Sequence, residues 1–124
     1  MQRSSARPYR VPDLTSCSAL EPTLSALDHG DAKVRLALLR ELCPCHVKRN
    51  VPEIWDRLLH LVHDPDVKVR STVLHILADG SPRERVDEVV WAIGTLVNDP
   101  DLRLRRRARR VMEAYRRTQR VNVL

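Results

Sequence analysis

The sequence predicts an all-α protein, a right-handed α-solenoid of three helix pairs with a 35-residue period. The first observation behind this is an internal repeat. His29-Gly30-Asp31-Ala32-Lys33-Val34-Arg35, Asp64-Pro65-Asp66-Val67-Lys68-Val69-Arg70 and Asp99-Pro100-Asp101-Leu102-Arg103-Leu104-Arg105 align at an offset of 35 residues both times, without a gap. The second is that apolar positions keep this register. Leu38, Val73 and Ala108 align, as do Leu42, Leu77 and Met112, then Leu20, Trp55 and Val90, then Ala26, Leu61 and Leu96, and Leu27, Val62 and Val97. The third is that apolar residues recur at helical spacing on both sides of each aligned motif.

The elements follow in order. Residues 1–17 form a basic, proline-containing extension; Pro8 and Pro12 interrupt any helix there. Part of it is expected to lie across the first unit, with residues 1–6 disordered. The repeat domain spans 18–120, in units of about 18–48, 49–82 and 83–120, and 121–124 form a tail. In the first unit, Leu36 and Leu39 widen the apolar face of the second helix, which is consistent with a covering segment. In the second unit, Ile54, Leu58, Leu61 and Val62 mark one helix, and Val69, Val73, Ile76 and Leu77 the next. In the third, Val86, Val89 or Val90, Ile93, Leu96 and Val97 precede Leu104, Ala108, Val111 and Tyr115.

Helix ends have local causes. Asp64-Pro65 and Asp99-Pro100 offer a capping carboxylate before a proline at the first helical position. Ser81-Pro82-Arg83-Glu84 fits a capping box, and Asn50 offers a similar cap before Val51-Pro52-Glu53. Asp79-Gly80 supplies a turn and a helix stop.

Composition narrows the function classes. The chain has 124 residues, 43% hydrophobic and 31% charged, enough for one compact domain. No apolar run is long enough for a membrane span, and Met1 to Val11 lack the apolar core of a secretory signal. Aromatic residues are 3% of the chain and Phe is absent, which argues against a base-stacking platform. The net charge of +6 is uneven: residues 1–12 carry +3, residues 13–100 carry −4, and residues 101–124 carry +7. Basic ends point to an acidic partner. Three cysteines, Cys17, Cys43 and Cys45, suggest reduced thiols in the cytoplasm. Cys43-Pro44-Cys45-His46 lacks the spacing of a haem or zinc motif, and Cys45 aligns with Gly80 in the turn between units.

The Asp-Pro-Asp-x-x-Val-Arg pattern, followed by a small residue and two apolar ones, resembles HEAT repeats, most closely the bacterial short type also seen in phycobilisome-lyase-like proteins. The resemblance covers about residues 18–118. It implies helix pairs whose second members line a concave face. It also implies a structural ladder in which an Asp of the inter-helix turn and an Arg six residues on join stacked units. Asp64 and Arg70 match this, as do Asp99 and Arg105. In the first unit His29 stands at the Asp position before Arg35, with Asp28 or Asp31 as possible substitutes.

The last helix carries the strongest functional signal. Steps of four and three residues bring Arg103, Arg107, Arg110 and Arg117 to one side, with Arg106, Arg109, Arg116 and Arg120 in a second row. Lys33 and Lys68 align with Arg103, so a basic track across the units is expected. Such a track suits carboxylates or phosphates, because the guanidinium fork binds either in two-point fashion. The competing reading is a solvated terminal cap, for which arginine is also suited.

Enzymatic readings have little support. Deoxyhypusine hydroxylases built on HEAT repeats hold iron through His-Glu pairs, and no His-Glu dipeptide occurs here. His60 and His63 could share a metal face with Asp56 or Asp64, but two histidines near a helix end need no metal. Three glycines cannot build a phosphate loop, and Ser16, Cys17 and Ser18 have no evident base. HEAT-like DNA glycosylases bind duplex on a basic concave face, using more units and aromatic side chains. Of the rings here, Trp55 and Tyr115 fall at core positions, and Trp91 lies beside the apolar stripe. The expectation is a non-catalytic cytoplasmic binding or scaffold module with no cofactor, metal, catalytic residue or small-molecule substrate. Its partner is expected to be a protein with an acidic surface, contacted by Lys33, Lys68, Arg103, Arg107, Arg110 and Arg117. The alternative is nucleic acid bound without sequence specificity, and third comes a metal-dependent or lyase-like enzyme.

Overall fold

A computed structural model describes residues 20–42 and 51–123. These residues form six α-helices: α1 Leu20–Leu27, α2 Ala32–Leu42, α3 Pro52–His60, α4 Val67–Gly80, α5 Val86–Leu96 and α6 Leu102–Thr118. Single 3-10 turns continue α3 over Leu61–His63 and precede α5 over Arg83–Arg85. The helices pack as consecutive pairs, α1 on α2, α3 with its 3-10 turn on α4, and α5 on α6, and each pair contacts the next. The N-terminal extension, Cys17, Cys43, Cys45, His46 and Asn50 lie outside the described residues.

One core runs through the three pairs. Leu27, Leu38, Leu42, Trp55, Leu58, Val69, Val73, Leu77, Val89, Ile93, Leu96, Leu104, Ala108 and Val111 are buried in it. Every one lies on the apolar stripe of its helix, so burial of that stripe is the main stabilising term. Leu39 and Leu74 are also buried at 0% exposure, although they lie beyond the narrow stripe. They align in the 35-residue register, so this wider face recurs in the second unit; the expected N-terminal cover lies outside the described residues.

The helix starts differ from the sequence expectation by two residues. Asp64 and Asp99 are not the caps. Asp66 caps α4, accepting from the amides of Lys68 and Val69, and Asp101 caps α6, accepting from Leu104. Asp31 accepts from Lys33 in the same way at the start of α2. The carboxylates of Asp64 and Asp99 instead accept the amides of Asp66 and Asp101 and are held by arginines. Pro65 and Pro100 consequently sit in the turn before the cap. Pro52 does take the first helical turn of α3, behind Val51, which contributes no side-chain cap.

The expected capping box at Ser81 does not form. A 3-10 turn intervenes before α5, and neither Pro82 nor Arg85 caps with a side chain. Ser81 is buried and turns to the C-terminal tail. Its amide and hydroxyl both donate to Asn122 Oδ1 at 3.0 and 3.1 Å, and Asn122 Nδ2 donates back to the Ser81 carbonyl at 3.2 Å. α4 runs through Gly80 without a left-handed residue, and the extended Ser81 ends it.

Candidate functional site

The turns between paired helices set the geometry of every candidate residue. Arg35 Nε and Nη2 donate to Asp64 Oδ2 and Oδ1 at 2.8 and 3.0 Å. Arg70 treats Asp99 in the same way at 2.8 and 3.1 Å. Both pairs join residues 29 apart, from one helix pair to the next. Each arginine also donates Nη1 to a carbonyl of its own turn: Arg35 to His29, Arg70 to Asp64, and Arg105 to Asp99. The guanidinium fork therefore ties its own turn to the carboxylate of the following unit, which a lysine could not do.

This direction explains the first unit. The turn aspartate receives the arginine of the preceding unit, and no described unit precedes His29. The other duty of that aspartate, accepting the amide two residues on, falls to the imidazole: Asp31 N–H donates to His29 Nδ1 at 2.9 Å. Neither Asp28 nor Asp31 substitutes. Asp28 pairs with Arg57 at 3.0 Å on the surface, and Asp31 caps α2.

With the turns fixed, α2, α4 and α6 share one face. An open groove of about 380 Å³ on it is lined by Arg40, Ser71, Thr72, His75 and Arg107. Arg107 is partly buried and donates to the Ser71 hydroxyl at 3.0 Å, bridging α6 and α4. Arg103, Arg110 and Arg117 lie on the Arg107 side of α6 by helical spacing and are exposed. Lys33 is exposed one residue inside α2, seven before Arg40, and Lys68 is exposed one residue inside α4, seven before His75. Among the described residues, Lys33, Lys68, Arg103, Arg107, Arg110 and Arg117 have no ion-pair partner. The second row behaves differently at Arg109, which donates to the Val97 carbonyl at 3.0 Å, toward α5.

Sequence reasoning missed Arg40 and His75. The signal was available: Arg40, His75 and Arg110 align at the same 35-residue offset as Lys33, Lys68 and Arg103. The face therefore repeats two basic positions on each of its three helices.

A second cleft, of about 490 Å³, lies between α3 and α5 and is lined by Leu59, His60, His63, Asp87, Glu88, Trp91 and Ala92. Trp91 is 72% exposed beside it. Among the described residues, no group of three or more His, Cys, Asp or Glu side chains is arranged to hold a metal ion. No helix among them is long and apolar enough to cross a membrane.

The sequence model of HEAT repeats matches residues 20–113, most of the chain and all three turns with their arginines. The chain belongs to the HEAT-repeat family. HEAT repeats generally serve protein interaction or scaffolding. No curated protein and no solved structure is significantly similar to this HEAT-repeat chain. The family accounts for the paired helices and the solenoid-like stack.

Proposed function

We propose that the chain is a non-catalytic HEAT-repeat module that binds an acidic segment of a protein partner on its α2–α4–α6 face. One observation carries this reading. Two basic positions recur on each helix, Lys33 with Arg40, Lys68 with His75, and Arg103 with Arg110, and flank a groove lined by hydroxyls and guanidinium groups. Lysines and arginines gathered on one face without ion-pair partners among the described residues favour an anionic ligand and speed its encounter. Arg35 and Arg70, by contrast, are committed to the turns and are structural. In this reading the stack is right-handed with a 35-residue period across residues 18–120, and it works in the cytoplasm.

The test is fluorescence anisotropy of a labelled poly-glutamate peptide, titrated with the protein across a salt series, with duplex DNA as competitor. Micromolar-range binding is expected at low salt, weakening as salt rises and resisting duplex competition (about −8 kcal/mol at the micromolar end). Absence of binding by the folded protein at low salt would sink the reading. Displacement by duplex, with direct duplex binding that falls steeply with salt, would assign the face to phosphates of nucleic acid instead.

A further inference from the structure

The groove on the α2–α4–α6 face is supplied with hydrogen-bond donors from three helices. Among the described residues that line it, Arg40, Ser71, Thr72, His75 and Arg107, none is a carboxylate. Arg40 enters from α2 and Arg107 from α6, and neither has an ion-pair partner among the described residues. Between them stands α4. Its Ser71 and His75 lie one turn apart on the same side of the helix.

Local bonds decide which of these groups can still donate. Arg107 Nη1 donates to Ser71 Oγ at 3.0 Å. The bond steadies that guanidinium at the groove and leaves the Ser71 proton to point elsewhere, because the oxygen is the acceptor. Thr72 is different: its hydroxyl donates to the Lys68 carbonyl at 2.9 Å, so its proton is spent within the helix. His75 is half-buried and carries a ring N–H in either charge state. The groove thus offers two guanidinium forks, one hydroxyl and one imidazole, converging from α2, α4 and α6.

The acceptor that matches this set has more than two oxygens. A carboxylate presents two oxygens in one plane, and the fork of a single arginine satisfies them. A backbone phosphate of nucleic acid is a diester with one charge and two free oxygens. A phosphate monoester presents three terminal oxygens in tetrahedral spread, with a charge of about −1.5 to −2 near neutral pH. It can accept from all three helices at once.

We propose that the groove between Arg40 and Arg107 is a phosphate-monoester site that takes a phosphoserine carried by the acidic segment of the partner. Arg40 and Arg107 hold the phosphate from either side, and Ser71 and His75 donate from its floor. The placement of the rest of that segment rests on the reading of the α2–α4–α6 face given above.

The test uses labelled poly-glutamate peptides that differ only at the central residue, which is serine, glutamate or phosphoserine. Anisotropy titrations with the protein should show the phosphoserine peptide binding roughly 10-fold tighter than the glutamate peptide. Arg40→Gln with Arg107→Gln should remove most of that difference while the glutamate peptide still binds. Arg107→Lys, which keeps the charge and loses the fork, should also reduce it. Lys33→Gln with Arg103→Gln removes the same charge outside the groove; it should weaken both peptides and preserve their ratio.

Phosphoserine binding no tighter than glutamate, with both peptides bound, would overturn the proposal and leave the acidic-segment reading standing. Binding of the phosphoserine peptide alone would support the site and remove the acidic-segment reading. Equal loss of the phosphoserine preference in the two double variants would overturn the proposal, since charge alone would then explain it. Ready displacement of the phosphoserine peptide by duplex DNA would also overturn it, in favour of diesters.

Discussion

The guanidinium of Arg35 and the carboxylate of Asp64, 29 residues apart, meet in a two-point ion pair at 2.8 and 3.0 Å, with side chains only 10% and 4% exposed. The same geometry recurs at Arg70 and Asp99. Each pair links successive helix pairs at their turns, so it fixes how the stacked units sit and where the basic residues on α2, α4 and α6 point. Burial makes these pairs unforgiving: the attraction is offset by desolvation while both partners are present, but a lone partner is left charged and out of water.

Arg70→Met should therefore destabilise the fold by about 3–5 kcal/mol in urea denaturation, because Asp99 stays buried without its partner. Removing both charges, as Arg70→Met with Asp99→Leu, should recover much of that loss. Arg105→Met should cost less than about 1 kcal/mol in the same assay, because no carboxylate is orphaned.

His29 carries only the local half of the turn's work. His29→Asp restores an acceptor for the Asp31 amide and should leave the urea midpoint near that of the parent. His29→Leu removes the acceptor and should cost about 0.5–1.5 kcal/mol, the ordinary range for one hydrogen bond.

The tail is held by Asn122. Asn122→Ala strips the partner from the amide, carbonyl and hydroxyl of the buried Ser81 and should cost about 1–3 kcal/mol. Glu84→Ala, by contrast, should fall within about 0.5 kcal/mol of the parent, since no capping box exists there to lose. Thermal unfolding of the two variants separates these outcomes.

The two tryptophans should be optically distinct. Trp55 is fully buried and Trp91 is 72% exposed. Trp91→Phe should remove most of the acrylamide-quenchable fluorescence and leave a blue-shifted, poorly quenched emission from Trp55. Strong quenching in the variant would contradict the packing of α3 against α5.

Much of the fold was legible because it repeats. The constant offset between Asp64-Pro65-Asp66 and Asp99-Pro100-Asp101 marked two turns, and the apolar register located nearly every core residue from Leu27 to Val111. Pairing direction was not legible, since an aspartate six residues before an arginine looks like that arginine's own partner; only the stacked backbone shows Arg35 reaching Asp64. The caps were misplaced for a related reason. Asp64 and Asp66 are both suited to capping, and the choice between them depends on Arg35, far away in sequence. Ser81 with Asn122 had no sequence signal at all, because a single long-range amide contact leaves no pattern. Arg40 and His75 were legible as well, since Arg40, His75 and Arg110 keep the 35-residue offset between the aligned apolar positions Leu38 and Leu42.

The most direct measurement of the central claim compares two charge reversals of equal size on different faces. One variant carries Lys33→Glu, Lys68→Glu and Arg110→Glu on the α2–α4–α6 face. The other carries Arg83→Glu, Arg116→Glu and Arg120→Glu, all exposed elsewhere. Affinity for the labelled poly-glutamate peptide should fall roughly 100-fold in the first and only a few-fold in the second. Equal losses in both would show that net charge alone attracts the ligand, and would contradict a binding face built by the repeat.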